Sequence, residues 1–306
     1  MDVPAPERVL AIVNPASGAR RGRSVIERLR EIRIPDITLQ ITTPDFDFAR
    51  IVEQGVANGI DRIMVAGGDG TLMGGVSGAR QVLGDDMLPF AWVPVGTGNI
   101  VSGFLGIPHR LPQALKLALG PGKIWPIDLA QVGDHFSVLR VSTSFEAEAV
   151  RNITNEDKNR LGLLAYGISG FQSLRRVRPT EYLISLDGQP PIRAEGVLAF
   201  ITSTGALTMV HGRSVINEAI RPDDGLLYAG VVRPLLPGRV LNGFRHFLTG
   251  NGLPPEAIMY FSAHKRIVID TARPELTQID GDPLGTTPLI ADLMPGALPI
   301  VVPAHK

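Results

Sequence analysis

Apolar runs of five or six residues recur along the first part of the chain, at 8–13, 37–42, 62–66 and 90–94, and each ends in a polar or glycine-rich stretch. Near-continuous apolar runs suit parallel strands covered on both faces. Between two of them, Phe48, Ile51, Val52 and Val56 fall at spacings of three, four and eight, behind Asp45 and Asp47. That period predicts an amphipathic helix capped by one of the two aspartates. The alternation predicts an α/β N-terminal domain, Rossmann-like, with a mostly parallel sheet. Loops beyond the carboxyl ends of such strands share one crevice, which would gather Asn14, Thr42, Gly67 and Gly96.

After Trp125 the pattern changes to β-type runs at 127–132, 136–142, 181–186, 194–202, 226–232, 258–261 and 266–270. Helical periodicity is confined to 158–176 and 238–248. These features predict an all-β-rich C-terminal sandwich domain with helical insertions. The expected division is residues 1–126 and 127–306, with the C-terminal tail, which carries the apolar run 298–302, able to return to the first domain. No fixed-period repeat or low-complexity tract interrupts this division.

Composition narrows the chemistry. Thirty Lys and Arg balance thirty Asp and Glu, so no global field draws the chain toward nucleic acid. With no cysteine, disulfides, thiolate metal sites and cysteine nucleophiles are excluded, and any metal must be held by oxygen or histidine. The start lacks a basic region leading into an apolar stretch, and the apolar runs fall well short of the ~18 residues that span a bilayer, so a cytoplasmic protein is expected.

The sharpest local signal is Val65-Ala66-Gly67-Gly68-Asp69-Gly70-Thr71-Leu72, a strand passing into a helix through three glycines around one carboxylate. Positions without side chains let backbone amides approach phosphate oxygens, and the helix N-terminus adds a positive dipole end. Asp69 would be repelled by phosphate, so its chemical uses are Mg²⁺ or a substrate hydroxyl; a tight turn with an Asp cap is the plainer alternative. Pro94-Val95-Gly96-Thr97-Gly98-Asn99 and Asn14-Pro15-Ala16-Ser17-Gly18 repeat the theme after other strands. A phosphate-loop lysine is excluded, because the first lysine is Lys116. Arg20, Arg21 and Arg23 are the cations beside the first loop, either meeting phosphate or forming a solvated helix start. Arg175, Arg176 and Arg178 close an apolar helix and allow either a membrane-facing edge or ordinary C-terminal charge.

Asn14-Pro15-x-Ser17-Gly18, Gly67 to Thr71, Gly96-Thr97-x-Asn99 and Asp280-Gly281-Asp282 together resemble the diacylglycerol kinase catalytic family, which includes bacterial lipid kinases and sphingosine and ceramide kinases. Thr42, Ile127-Asp128, Lys158 with Gly162 to Tyr166, and Pro222-Asp223-Asp224-Gly225-Leu226-Leu227 extend the resemblance nearly end to end. The glycine-Asp-glycine loop is also similar to NAD kinases and phosphofructokinases. Met73-Gly74 stand where relatives show Asn-Glu, Ile100 where they show Asp, and Asp282 where they show Glu.

The resemblance implies an ATP- and Mg²⁺-dependent lipid kinase. In it Asn14, Ser17, Gly18, Thr42, Gly67, Gly68, Asp69, Gly70, Thr71, Gly96, Thr97 and Asn99 hold the nucleotide, and Asp128 anchors water on its Mg²⁺. Asp282 is implied as proton acceptor, with Asp280 and Asp69 completing the catalytic set. A second, structural Mg²⁺ is implied on the Asp224 carboxylate and the backbone carbonyls of Arg221 and Leu226, although Pro222 to Gly225 is also strong turn chemistry. The implied partners are a lipid substrate and a transient peripheral membrane contact, with no nucleic acid; a homodimer is compatible. The alternatives are a non-catalytic nucleotide- or lipid-binding relative and a soluble-substrate kinase in the NAD-kinase manner.

Overall fold

A computed structural model describes residues 1–32, 35–143, 179–210, 213–216, 219–234 and 257–304. The chain divides into two compact units, Met1–Ile127 with Gly296–Lys306, and Asp128–Pro295. The helices expected at 158–176 and 238–248, with Lys158, Gly162 to Tyr166 and the arginines at 175, 176 and 178, lie outside the described residues.

In the first unit the order is β1 (Asp2–Val3), β2 (Arg8–Val13), α1 (Ser17–Glu31), β3 (Asp36–Ile41), α2 (Phe48–Ala57), β4 (Arg62–Gly67), α3 (Asp69–Leu83), β5 (Phe90–Pro94), α4 (Ile100–Leu105), α5 (Leu111–Leu119) and the start of β6 (Gly122–Val132). β5, β4, β2 and β3 lie side by side in that order, all parallel. Every residue of β4 and β5 is buried, whereas the edge strand β3 is exposed or half-buried throughout. Val9, Ala11, Met64 and Val93 from the sheet pack with Val25 and Leu29 of α1 and Leu115 of α5. Each such side chain contributes about 1.5–3 kcal/mol on burial.

Of the two candidate caps, Asp47 caps α2, accepting from the Arg50 N–H at 3.0 Å. α3 carries glycines where its neighbours come closest. A methyl group on Gly75 would stand 2.8 Å from Val65 Cγ2, and one on Gly78 would stand 2.6 Å from Phe48 Cβ. Buried Arg62 ties α5 down, donating to the carbonyls of Ala118 (3.0 Å), Gly120 (2.7 Å) and Pro4 (2.7 Å).

The second unit contains the end of β6, then β7 (His135–Ser137), β8 (Val141–Thr143), β9 (Thr180–Leu186), β10 (Ile192–Gly196), β11 (Leu198–Thr202), the hairpin β12 (Ala206–Val210) and β13 (Arg213–Ile216), β14 (Leu227–Val232), β15 (Ile258–Ala263), β16 (Arg266–Thr271), β17 (Leu276–Ile279), β18 (Asp282–Thr286) and the first half of β19 (Leu289–Val302). β15, β14, β11, β8, β17 and β18 form one antiparallel sheet. β10, β9, β16 and the first half of β19 form the antiparallel layer opposite. Tyr182, Ile184, Ile267 and Ala291 from this layer meet Ile201, Ala229 and Val231 from the other in one core. This is a β-sandwich.

Two expected strands divide. The run 136–142 is β7 and β8, parted where the Arg140 N–H donates to the Asp280 carboxylate at 3.0 Å. The run 194–202 is β10 and β11, which belong to opposite layers. The corner is at Gly196, where any side chain would collide with Val231. β19 pairs antiparallel with β16 through residues 289–292, and Ile300 at its far end pairs parallel with Phe90 of β5. Among the described residues no helix is long and apolar enough to cross a membrane.

Candidate functional site

The carboxyl ends of β2, β3, β4 and β5 open on a cavity of about 560 Å³ that lies wholly within the first unit. Asn14, Ser17, Gly18, Thr42, Gly68, Gly70, Thr71, Gly96 and Thr97, all expected there, line it. Ala16, Thr43, Pro44, Phe46 and Phe48 also line it, and among the described residues no ionisable side chain does.

Two of the lining glycines, Gly18 and Gly96, are required by contact. A Cβ on Gly96 would run into Gly68 Cα, and one on Gly18 would run into the Val95 carbonyl. Gly18 also has φ +57°, a left-handed conformation that side chains disfavour. The first and second loops are joined by Asn14, whose Nδ2 donates to Thr71 Oγ1 at 3.1 Å while its Oδ1 accepts from the Ala16 N–H at 2.9 Å. Beneath them, buried Trp92 donates its indole N–H to the Gly67 carbonyl at 3.2 Å. Gly67 therefore stands behind the lining as part of the floor.

Asp69 and Asn99 also stand behind it. The Asp69 carboxylate accepts from the N–H groups of Ile100 (3.3 Å) and Val101 (3.4 Å), so the second loop caps α4. Burial pushes the Asp69 pKa above the usual carboxylate range, opposed by these backbone hydrogen bonds. Asn99, buried and left-handed at φ +50°, closes the third loop by donating to the carbonyls of Gly96 (2.7 Å) and Pro94 (3.4 Å). Behind it, the Ser102 hydroxyl donates to the Asn99 carbonyl at 2.7 Å and meets His109 Nε2 at 2.9 Å. Arg21 and Arg23 are exposed along α1 and do not line the cavity.

The remaining expected residues form two groups in the second unit. Asp128 is buried, and its carboxylate accepts from the Gly225 N–H at 2.8 Å. In the same turn Asp224 Oδ1 accepts from Leu226 N–H (3.1 Å), and Oδ2 accepts from Tyr228 O–H (2.7 Å) and Arg221 N–H (3.3 Å). The Arg221 guanidinium pairs with Asp223 at 3.2 Å. Mg²⁺ favours a few protein oxygens with water completing six. One carboxylate, with a single N–H on its Oδ1, fits a largely hydrated ion. Among the described residues there is no cluster of three or more His, Asp or Glu that would form a cage.

Asp280 and Gly281 both have positive φ and sit between paired Ile279 and Asp282, as in a two-residue hairpin turn. The Asp280 carboxylate braces the turn between β7 and β8, accepting from Ser137 O–H at 2.7 Å and Arg140 N–H at 3.0 Å. Asp282 is exposed at the first position of β18, two residues along the same strand edge.

Comparison with known proteins gives matches across nearly the whole chain. The diacylglycerol kinase catalytic domain family matches residues 8–132, and the YegS C-terminal NAD kinase β-sandwich-like domain family matches residues 140–302. A diacylglycerol kinase of Mycobacterium tuberculosis is 27% identical over 97% of this chain and 96% of its own length. A Pseudomonas aeruginosa protein named "Probable lipid kinase YegS-like" is 27% identical over 97% of this chain and 95% of its own. A crystal structure of a candidate diacylglycerol kinase from Bacillus anthracis superposes with a TM-score of 0.76 at 26% identity, covering 97% of this chain and 96% of that one.

Proposed function

Because the chain belongs to the diacylglycerol kinase family, with a C-terminal half of the YegS type, and is therefore a kinase, we propose that it transfers the γ-phosphoryl group of ATP, with Mg²⁺, to a lipid hydroxyl such as that of diacylglycerol. The observation that carries this is the first-unit cavity. Its second and third loops meet where a Cβ on Gly96 would collide with Gly68 Cα, so backbone amides and hydroxyls form that side of the cavity. That is a surface for phosphate oxygens, reinforced by the N-terminus of the fifteen-residue α3.

Phosphoryl transfer asks the protein mainly for position and charge compensation. Asn14, Thr71 and Trp92 hold the glycine loops at fixed spacing, and Asp69 ties the second loop to the third through α4. In the proposed reaction the exposed Asp282 carboxylate takes the proton of the lipid hydroxyl, the hydroxyl oxygen bonds to the γ-phosphorus, and the bond from that phosphorus to the bridging oxygen breaks, leaving ADP. Mg²⁺, when bound, supplies neutralisation of the phosphate charge. Asp69 would hold the nucleotide's ion, with Asp128 anchoring a water on it; Asp224 with the carbonyls of 221 and 226 would hold the structural one. We expect the protein to act from the cytoplasm, touching the membrane only transiently.

The test is incubation of the purified chain with labelled ATP, Mg²⁺ and diacylglycerol in mixed micelles, followed by mass spectrometry of the lipid. Phosphatidic acid is the expected product. Transfer to NAD instead would identify a soluble acceptor, and ATP binding without transfer across a lipid panel would identify a non-catalytic relative.

A further inference from the structure

One wall of the first-unit cavity has chemistry unlike the rest. Besides the glycine loops, the lining includes the segment with Pro44, Phe46 and Phe48 and the hydroxyls of Thr42 and Thr43. Phe48 is clamped on α3: a methyl group on Gly74 would lie 2.6 Å from its ring, and one on Gly78 would lie 2.6 Å from its Cβ. The ring of Phe46 meets Phe48 edge to face, with centroids 4.8 Å apart at 74°. Phe46 is only half-buried and borders the cavity. A rigid ring thus supports a second ring whose remaining surface is available to a ligand. α3 rises about 1.5 Å per residue, so Gly74 lies well along the helix from the loops at its start. A ligand with a polyanionic end and a flat π end would match both walls.

Among the described residues, the lining is also poor in side chains that could read the edge of a ring. Telling adenine from guanine requires donors and acceptors of fixed polarity. Asn14 has the side-chain amide of the lining, and both its ends are engaged within the loops. The Thr42 N–H donates to Val13, the Phe46 N–H donates to Thr43, and Pro44 has no N–H. What remains on the side chains is hydroxyl, which can donate or accept and so suits either purine.

We propose that Phe46, backed by Phe48, is the nucleobase platform of this kinase, and that holding the base by its face makes the site accept ATP and GTP alike. The proposal rests on the kinase reading above and is tested apart from it. Calorimetric titration of the full chain with Mg²⁺-ATP, Mg²⁺-GTP and Mg²⁺-tripolyphosphate, a probe with no base, should give ATP and GTP affinities within about fivefold, since stacking tolerates any base. Phe46→Ala should weaken both nucleotides about fivefold to a hundredfold and leave tripolyphosphate unchanged. Phe46→Leu keeps the apolar volume and removes the π face, and it should show the same selective loss if Phe46→Ala proves unstable by thermal melting. Undiminished ATP affinity in a folded Phe46 variant, or GTP binding a hundredfold weaker than ATP, overturns the platform while leaving the kinase reading in place. If none of the three probes binds, both fall.

Discussion

Asp69 offers a test in which stability and activity should part company. Its carboxylate caps α4 through two long hydrogen bonds, at 3.3 and 3.4 Å, from a half-buried position. Removing both acceptors in Asp69→Ala leaves two part-buried N–H groups unmatched, each costing about 1 kcal/mol at the low end appropriate to such lengths, or about 2 kcal/mol together. Asp69→Asn retains one carbonyl acceptor, so it should lose about 1 kcal/mol of capping. It also abolishes the cost of burying a negative charge. Burial raises the Asp69 pKa in the folded state, so the ionised form is the disfavoured one. The side chain's contribution is therefore greatest below the unfolded-state pKa and declines as pH rises through the folded-state value. Relief of that cost opposes the capping loss, so Asp69→Asn should lie within about 1 kcal/mol of the parent at neutral pH. On moving to mildly acidic pH the parent should gain relative to the variant. Turnover should still fall at least about a hundredfold if the carboxylate serves Mg²⁺ or the reacting groups. Urea unfolding at both pH values, with lipid phosphorylation measured in parallel, reads all three quantities. If Asn destabilises as much as Ala, with a gap independent of pH, the burial argument is wrong. If Asn retains full activity, Asp69 is a cap and nothing more.

Gly96→Ala drives a methyl group into Gly68 Cα and should cost about 1–3 kcal/mol by thermal or denaturant melting while abolishing ATP binding by calorimetry. Asp282→Asn, on an exposed strand end, should leave ATP affinity and melting temperature intact and lower turnover about 10²- to 10⁴-fold; parent-like rates would remove it from proton transfer. Tyr228→Phe deletes the 2.7 Å donor that orients the Asp224 carboxylate. It should lower stability by about 1 kcal/mol, discounted for partial exposure, and reduce the stabilisation that added Mg²⁺ gives in a thermal melt.

The strands most readable from the residues are those with one environment on both faces. β2 and β4 are apolar after their first residues, Arg8 and Arg62, and β5 is apolar throughout, because helices cover both sides of their sheet, and nothing in the chain's periodicity competes with that reading. β18 was invisible because Asp282, Pro283, Gly285 and Thr286 are exposed and have no buried face to mark a period. Of β19 only the apolar run 298–302 was legible; Pro295, Gly296 and Pro299 punctuate a sequence as turns do but here fall within one fourteen-residue strand. Gly196 marks a corner between layers that only the packed Val231 reveals.

The glycine loops were legible for the converse reason. A surface made of backbone needs positions without side chains, and such positions stand out in a sequence. Phe46 and Phe48 were not, because aromatic residues beside a helix cap look like core, and Phe48 indeed began the apolar stripe of α2. The capping of α4 by Asp69 joins residues 31 apart, a distance over which spacing carries no signal. The same holds for Asp128 and Gly225, 97 residues apart.

The late pairing of Ile300 with Phe90 bears on how the polypeptide matures during synthesis. The ribosome releases Met1–Ile127 long before Gly296–Lys306 exists, and the intervening Asp128–Pro295 takes roughly 10 to 30 s to translate. Throughout that interval the nascent first unit carries an apolar border whose final neighbour has not been made. The unit that emerges first is thus the last to be completed, and deleting the segment around Ile300 should injure the distant strand that carries Phe90.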